Sequence, residues 1–145
     1  MNERISFPDV EATLVSFVAG ELAELADSAQ VVTRVPDPRP ARMVRVRRDD
    51  RKWRDDCDLS ETRRRQNSIT DQSRVVLECS DEAGEAGVLA GRVRSILSAA
   101  SPGYLGSVWC DHIDDIGVEN DADPETSAPR LTVVADIYVR GTVLA

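Results

Sequence analysis

Hydrophobic residues recur along this chain with two different periods, and the changes of period mark its elements. Val10, Leu14, Phe17, Val18, Leu22 and Leu25 return at three- and four-residue steps and leave Glu11, Glu21 and Glu24 on other faces, which predicts a helix packed by one stripe. Ser6-Phe-Pro-Asp9 ahead of it resembles a capping box, so the helix is expected to start there and run to about Ala26. A β-rich run from Gln30 to Val35 follows and is cut off by Pro36-Asp-Pro-Arg-Pro40, because prolines cannot donate to a strand ladder. From Ala41 to Arg48 the chain alternates, with Val44 and Val46 on one face and Met43, Arg45 and Arg47 on the other.

Asp49 to Gln72 has no sustained period and reads as a long, highly charged loop, of a length that is uncommon in compact domains unless it is functional. Ser73 to Cys79 returns to a strand. Ser80-Asp-Glu then reads as the cap of a second helix buried by Val88, Leu89, Val93, Ile96 and Leu97 and ended by Pro102-Gly103. Gly84, Gly87 and Gly91 fall inside that helix and permit close approach to a neighbouring element. Gly106 to Ile116 alternates around Val108, Cys110 and His112. An acidic loop is expected from Gly117 to Pro129, and a final strand from Leu131 to Leu144 puts Leu131, Val133, Ala135, Ile137 and Val139 on one face. The expected order is α-β-β-β-α-β-β. It implies an α+β fold with two helices on one face of a mostly antiparallel five-stranded sheet.

At 145 residues the chain is expected to be a single domain, 1–145. Its 18 basic and 26 acidic residues give a net charge of −8, which argues against a nucleic-acid binder built on an overall positive surface. That charge is unevenly spread. The segment from Asp37 to Arg65 is locally +4, and the remainder is −12. Of the basic residues only Lys52 is a lysine, as expected both of interfaces that use planar guanidinium contacts and of a GC-rich genome. No run of eighteen apolar residues and no N-terminal apolar segment occurs, so the expectation is a soluble protein without membrane contact.

Candidate chemistry is sparse. The glycine spacing matches no phosphate-binding loop. Cys57, Cys79 and Cys110 are too far apart for a zinc pair. Cys110 and His112 sit two apart, on one face of a straight strand, and could form a nucleophile dyad, although a core cysteine beside a strand histidine is the commoner arrangement. Asp121, Asp123 and Glu125 alternate like oxygen ligands for calcium, but Thr126 and Thr132 stand where such a loop needs glycine and a bidentate acid. Asp136 is expected to face solvent or pair with an arginine. Arg42, Arg45, Arg47 and Arg48, with Arg51, Lys52 and Trp53, could hold phosphates on an aromatic platform. The interleaved Asp49, Asp50, Asp55 and Asp56 suit a protein–protein contact better.

Val31-Val-Thr-Arg-Val-Pro-Asp-Pro-Arg-Pro-Ala-Arg-Met-Val-Arg-Val-Arg-Arg48, preceded by Phe7-Pro-Asp-Val-Glu and closed by Tyr138-Val-Arg-Gly-Thr-Val-Leu144, resembles the tail terminator proteins of long-tailed bacteriophages, particularly those infecting actinobacteria. The likeness covers about residues 5–48 and 73–144 and departs from the family pattern in the charged stretch Asp49–Gln72. It implies a structural virion protein at the tail–neck junction, assembled in the host cytoplasm as a ring of about six copies with heterologous contacts. Such a ring caps the tail tube, ends tube polymerisation and presents the surface for the neck of the filled head. The implied partners are further copies of itself, the major tail tube protein and a head-completion or neck protein, with DNA passing through the lumen unbound. No enzyme activity and no cofactor are implied.

Within that picture Arg39, Arg42, Arg45, Arg47, Arg48 and Trp53 are expected at a subunit or tube interface. Asp114, Asp115, Glu119, Asp121 and Asp123, or the glutamates of the first helix, are expected to line the lumen and repel DNA. The alternatives are a neck or head-closure connector, a small nucleic-acid-binding domain using the arginine-rich segment, and a hydrolase using Cys110 and His112.

Overall fold

The computed structural model describes residues 4–52, 69–126 and 129–144. Among them the order is β1 (Ile5–Ser6), α1 (Val10–Glu24), β2 (Gln30–Val32), β3 (Arg42–Arg48), β4 (Thr70–Asp81), α2 (Ala86–Ala100), β5 (Gly103–Leu105), β6 (Val108–Ala122), β7 (Pro129–Arg140) and β8 (Thr142–Val143). The fold is α+β. Six strands form one curled sheet in the order β2-β3-β4-β7-β6-β5, and β1 and β8 make a separate antiparallel pair. The expected single five-stranded sheet is therefore corrected to six strands and two. Every neighbouring pair is antiparallel except β2 with β3, which run parallel.

Both helices lie on one face of the large sheet, as the hydrophobic stripes require. Leu14, Val18 and Leu22 of α1 and Leu89, Val93 and Leu97 of α2 pack in one cluster with Val44, Val46, Leu77, Ala135 and Ile137 of the sheet. Each such leucine, isoleucine or valine side chain, withdrawn from water, contributes about 1.5–3 kcal/mol. The Val44/Val46 alternation of β3 and the inward face of β7 match their sequence pattern.

Several boundaries move, for local reasons. Asp9, not Ser6, caps α1, accepting the Ala12 amide at 3.1 Å, while Ser6 pairs with Thr142 in the small sheet. Leu25 drops out of the buried stripe and is half exposed, because the chain leaves the helix there and turns at Ala26 with φ of 56°. Ser80 and Asp81 do not cap α2. They complete β4 opposite Met43 and Arg42, and the turn is taken at Gly84, whose φ of 84° suits glycine. Helix α2 starts five residues after Asp81, and Glu85 makes no side-chain cap. β4 begins at Thr70, so Thr70 to Gln72 of the expected loop are strand; positions 53–68, including Trp53, lie outside the described residues. The acidic run expected as a loop is strand to Ala122. The final strand breaks at Gly141, where an added Cβ would stand 2.6 Å from the Ser6 carbonyl oxygen.

Candidate functional site: the charged face and margins of the sheet

The face of the sheet away from the helices is built in rungs fixed by register. Arg45, Glu78, Thr132 and Glu119 stand side by side across β3, β4, β7 and β6; Met43, Ser80, Arg130 and Asp121 form the next rung, and Arg74, Asp136 and Asp114 another. Little of it reaches water: Val76 and Val134 are fully buried, and Arg74, Glu78, Thr132 and Asp136 are almost so. Part of the cover comes from the turn after β3. There Asp49 donates its amide to the Arg74 carbonyl at 2.8 Å, the Lys52 carbonyl accepts from Arg74 at 2.7 Å, and Lys52 Nζ reaches Glu119 Oε2 at 2.9 Å.

Buried charges persist only when compensated, and each one here is. Arg74 holds Asp136 in a two-pronged contact at 2.8 Å for both bonds, with Gln72 adding a third donor at 3.1 Å. Glu78 is the hub of the neighbouring rungs: Arg47 donates to Oε1 at 3.3 Å, Arg45 stands 3.7 Å away, and Arg130 donates to Oε2. Arg130 also grips Asp121, which holds that carboxyl below the usual carboxylate range.

The predicted interface arginines are thus distributed over several tasks. Arg39, from the proline-rich connection, pairs with Asp123; burial pushes the Asp123 carboxyl up, but the Glu125 amide and Arg39 together bring it below its usual range. Arg42 is turned toward the helix side, where it clamps Asp27 and Asp81 at the edge of the core. Arg47 meets Asp49 as well as Glu78, and Arg48 meets Asp50 and Asp71. Arg45 keeps 41 % of its side chain exposed, and Arg34 before it is exposed.

The acidic candidates do not share one surface. Asp114, Glu119 and Asp121 lie on the face away from the helices, while Asp115 lies on the helix side, paired with Arg94 of α2. Asp123 is buried against Arg39. β6 carries two extra residues, Asp111 and Ile116, where its register against β7 shifts. The first bulge overturns the expected Cys110/His112 face-sharing. Cys110 is sealed in the core with its Sγ donating to the His112 carbonyl at 3.3 Å, while the His112 ring turns outward to Asp114 and Tyr138. Burial pushes the Cys110 thiol up, and Cys79 up to about 12, so neither is poised as a nucleophile at neutral pH.

Sequence reasoning missed Asp27, Glu78, Arg74 and Arg130 as organising charges. Their signal is cross-strand register, which a single strand's alternation does not carry. It also missed that the two kinds of charge occupy opposite margins. β2 and β3 at one edge carry Arg42, Arg45, Arg47 and Arg48 and no acid; β5 and β6 at the other carry Asp111, Asp114, Asp115, Glu119 and Asp121 and no lysine or arginine. Among the described residues no group of three or more potential metal ligands comes together. Comparison with known proteins finds no family model and no curated protein that matches the chain.

Proposed function

We propose that this chain is a ring-forming structural subunit that caps a bacteriophage tail tube, ends its polymerisation and offers the attachment surface for the neck. The reading starts from the resemblance of its proline-rich turn, flanking strands and closing strand to tail terminators. The structural observation that supports it is the placement of an arginine-bearing margin and an acid-bearing margin at opposite edges of one sheet. A closed ring of identical copies needs two different, mutually complementary surfaces on each subunit, and the sheet supplies that polarity. Of the arginine-bearing margin's residues, Arg42, Arg47 and Arg48 already face carboxylates of the chain, while Arg45, with 41 % of its side chain exposed, and the neighbouring, exposed Arg34 are open to a partner's acids.

The test has two parts. Native mass measurement at moderate salt, with and without tail tube protein, should show a species about six times the 15.9 kDa chain. Particles assembled without the protein should carry overlong tails, whereas normal tails lacking heads would point to a neck component. A chain that stays monomeric in every mixture would overturn the reading.

A further inference from the structure

Beyond its first three residues the long strand β6 is paired, among the described residues, on one side only. β5 covers Val108, Trp109 and Cys110, and from Asp111 to Ala122 the strand has β7 on one flank and, among the described residues, no strand on the other. None of its side chains over that length is fully buried, and Ile116 and Val118 are 37 % and 38 % exposed. Unpaired amides and carbonyls in such a row are a template for another strand. Beside the edge, on the helix side, a groove of about 140 Å³ opens between α2 and β6, floored by Leu97, Ile113, Val133 and Ala135 with Arg94 and Asp115 at its mouth.

We propose that this open edge of β6 pairs with the β2 margin of a second copy of the chain, so that the sheets of neighbouring subunits join edge to edge, head to tail. The proposal rests on the self-association in the functional reading above and names the surface that performs it. Charge selects the occupant. A second β6 would set five acids against five acids, and like charges directly across a strand pair are destabilising. β2 (Gln30–Val32) carries no charge, is bordered by the exposed Arg34, and lies against β3 with its arginines. Its apolar neighbours Leu25 and Val35 are also exposed, 51 % and 36 %, and are of a kind to meet Ile116, Val118 and the groove. The two bulges and five acids of β6 then work as a filter. They discourage indiscriminate edge pairing and leave an arginine-flanked strand as the acceptable partner.

Hydrogen exchange on the full chain tests this directly. As protein concentration rises at low salt, amides in residues 111–122 and 30–34 should slow together by about tenfold or more. Arg34→Glu and Asp115→Lys, both at exposed positions, should each weaken association about tenfold. Association that leaves 111–122 exchanging at the monomer rate would overturn the edge pairing while the ring reading stands. Absence of association at any concentration, with tube protein present or absent, would overturn both.

Discussion

Replacing Asp27 by asparagine isolates the energetics of the charge clamp that ties the end of α1 to the sheet. The Asp27 carboxylate is fully shielded from water and accepts from Arg42 Nε at 2.9 Å, Arg42 Nη2 at 2.7 Å, Arg92 Nη1 at 2.7 Å and the Ala29 amide at 2.9 Å. The Arg42 hydrogen bonds, against the opposing effect of burial and with further help from Ala29 and Arg92, hold its carboxyl far below the usual range. Removing one partner of a buried pair costs about 3–5 kcal/mol. Arg42 keeps Asp81 at 2.9 Å, and the Arg92 contact is half exposed and worth at most about 1 kcal/mol, so the lower end, about 3 kcal/mol, is expected.

That loss should depend on pH in a definite direction. Because the folded-state carboxyl titrates below its unfolded value of about 3.9, the stabilisation is complete above that value and is lost as pH falls toward the folded one, by about 1.4 kcal/mol per pH unit. Urea unfolding of both proteins at about pH 7 and again near pH 3 measures it. The wild-type advantage should be about 3 kcal/mol at the higher pH and clearly smaller at the lower. An advantage below about 1 kcal/mol at neutral pH, or one unchanged on acidification, would refute the assignment of Asp27 as a buried, ionised anchor.

Two further outcomes are expected. In a Cys57→Ser background, Cys79 and Cys110 should resist thiol reagents at about pH 8 until the protein unfolds, since burial raises both thiols and shields both sulfurs; rapid labelling of folded protein would contradict that placement. Gly141→Ala should lower thermal stability by about 1–3 kcal/mol, because the new methyl meets the Ser6 carbonyl and the Ile5 side chain where β1 docks on β8, and an unchanged melting temperature would argue against that docking.

The parts of the fold legible in the sequence are those where one element's own pattern decides burial. Val10, Leu14, Val18 and Leu22 announce α1, and Val44 and Val46 announce the inward face of β3, since each stripe meets a core that is there regardless of detail. The acidic half of β6 was illegible for the opposite reason. Asp, Asn and Gly are poor strand formers, and this segment is extended only because β7 offers it a ladder from Ile137 to Pro129. The end of β4 was misread as a helix cap because Ser80-Asp-Glu has the composition of one. Arg42 lying opposite Asp81, a partner thirty-nine residues away, fixes it as strand instead. The charged site was half visible: the arginines and acids could be counted, but Arg39, Arg42 and Asp123 turn out to be internal fastenings.

The second bulge of β6 makes the charge pattern of the sheet a matter of counting. Asp114 and Glu119 are five residues apart, an odd spacing that would send them to opposite faces of a straight strand; the extra residue at Ile116 brings both to the same one. Beyond that point the strand is read in a shifted frame, much as a message is after an inserted letter. Substituting a residue there changes one side chain. Taking Ile116 into the ladder with no residue removed would turn Glu119 away from Lys52 and Asp121 away from Arg130 together, whereas deleting it would straighten the strand and leave both where they are. In this stretch it is the pairing frame, more than the identity of any one acid, that the fold has to preserve.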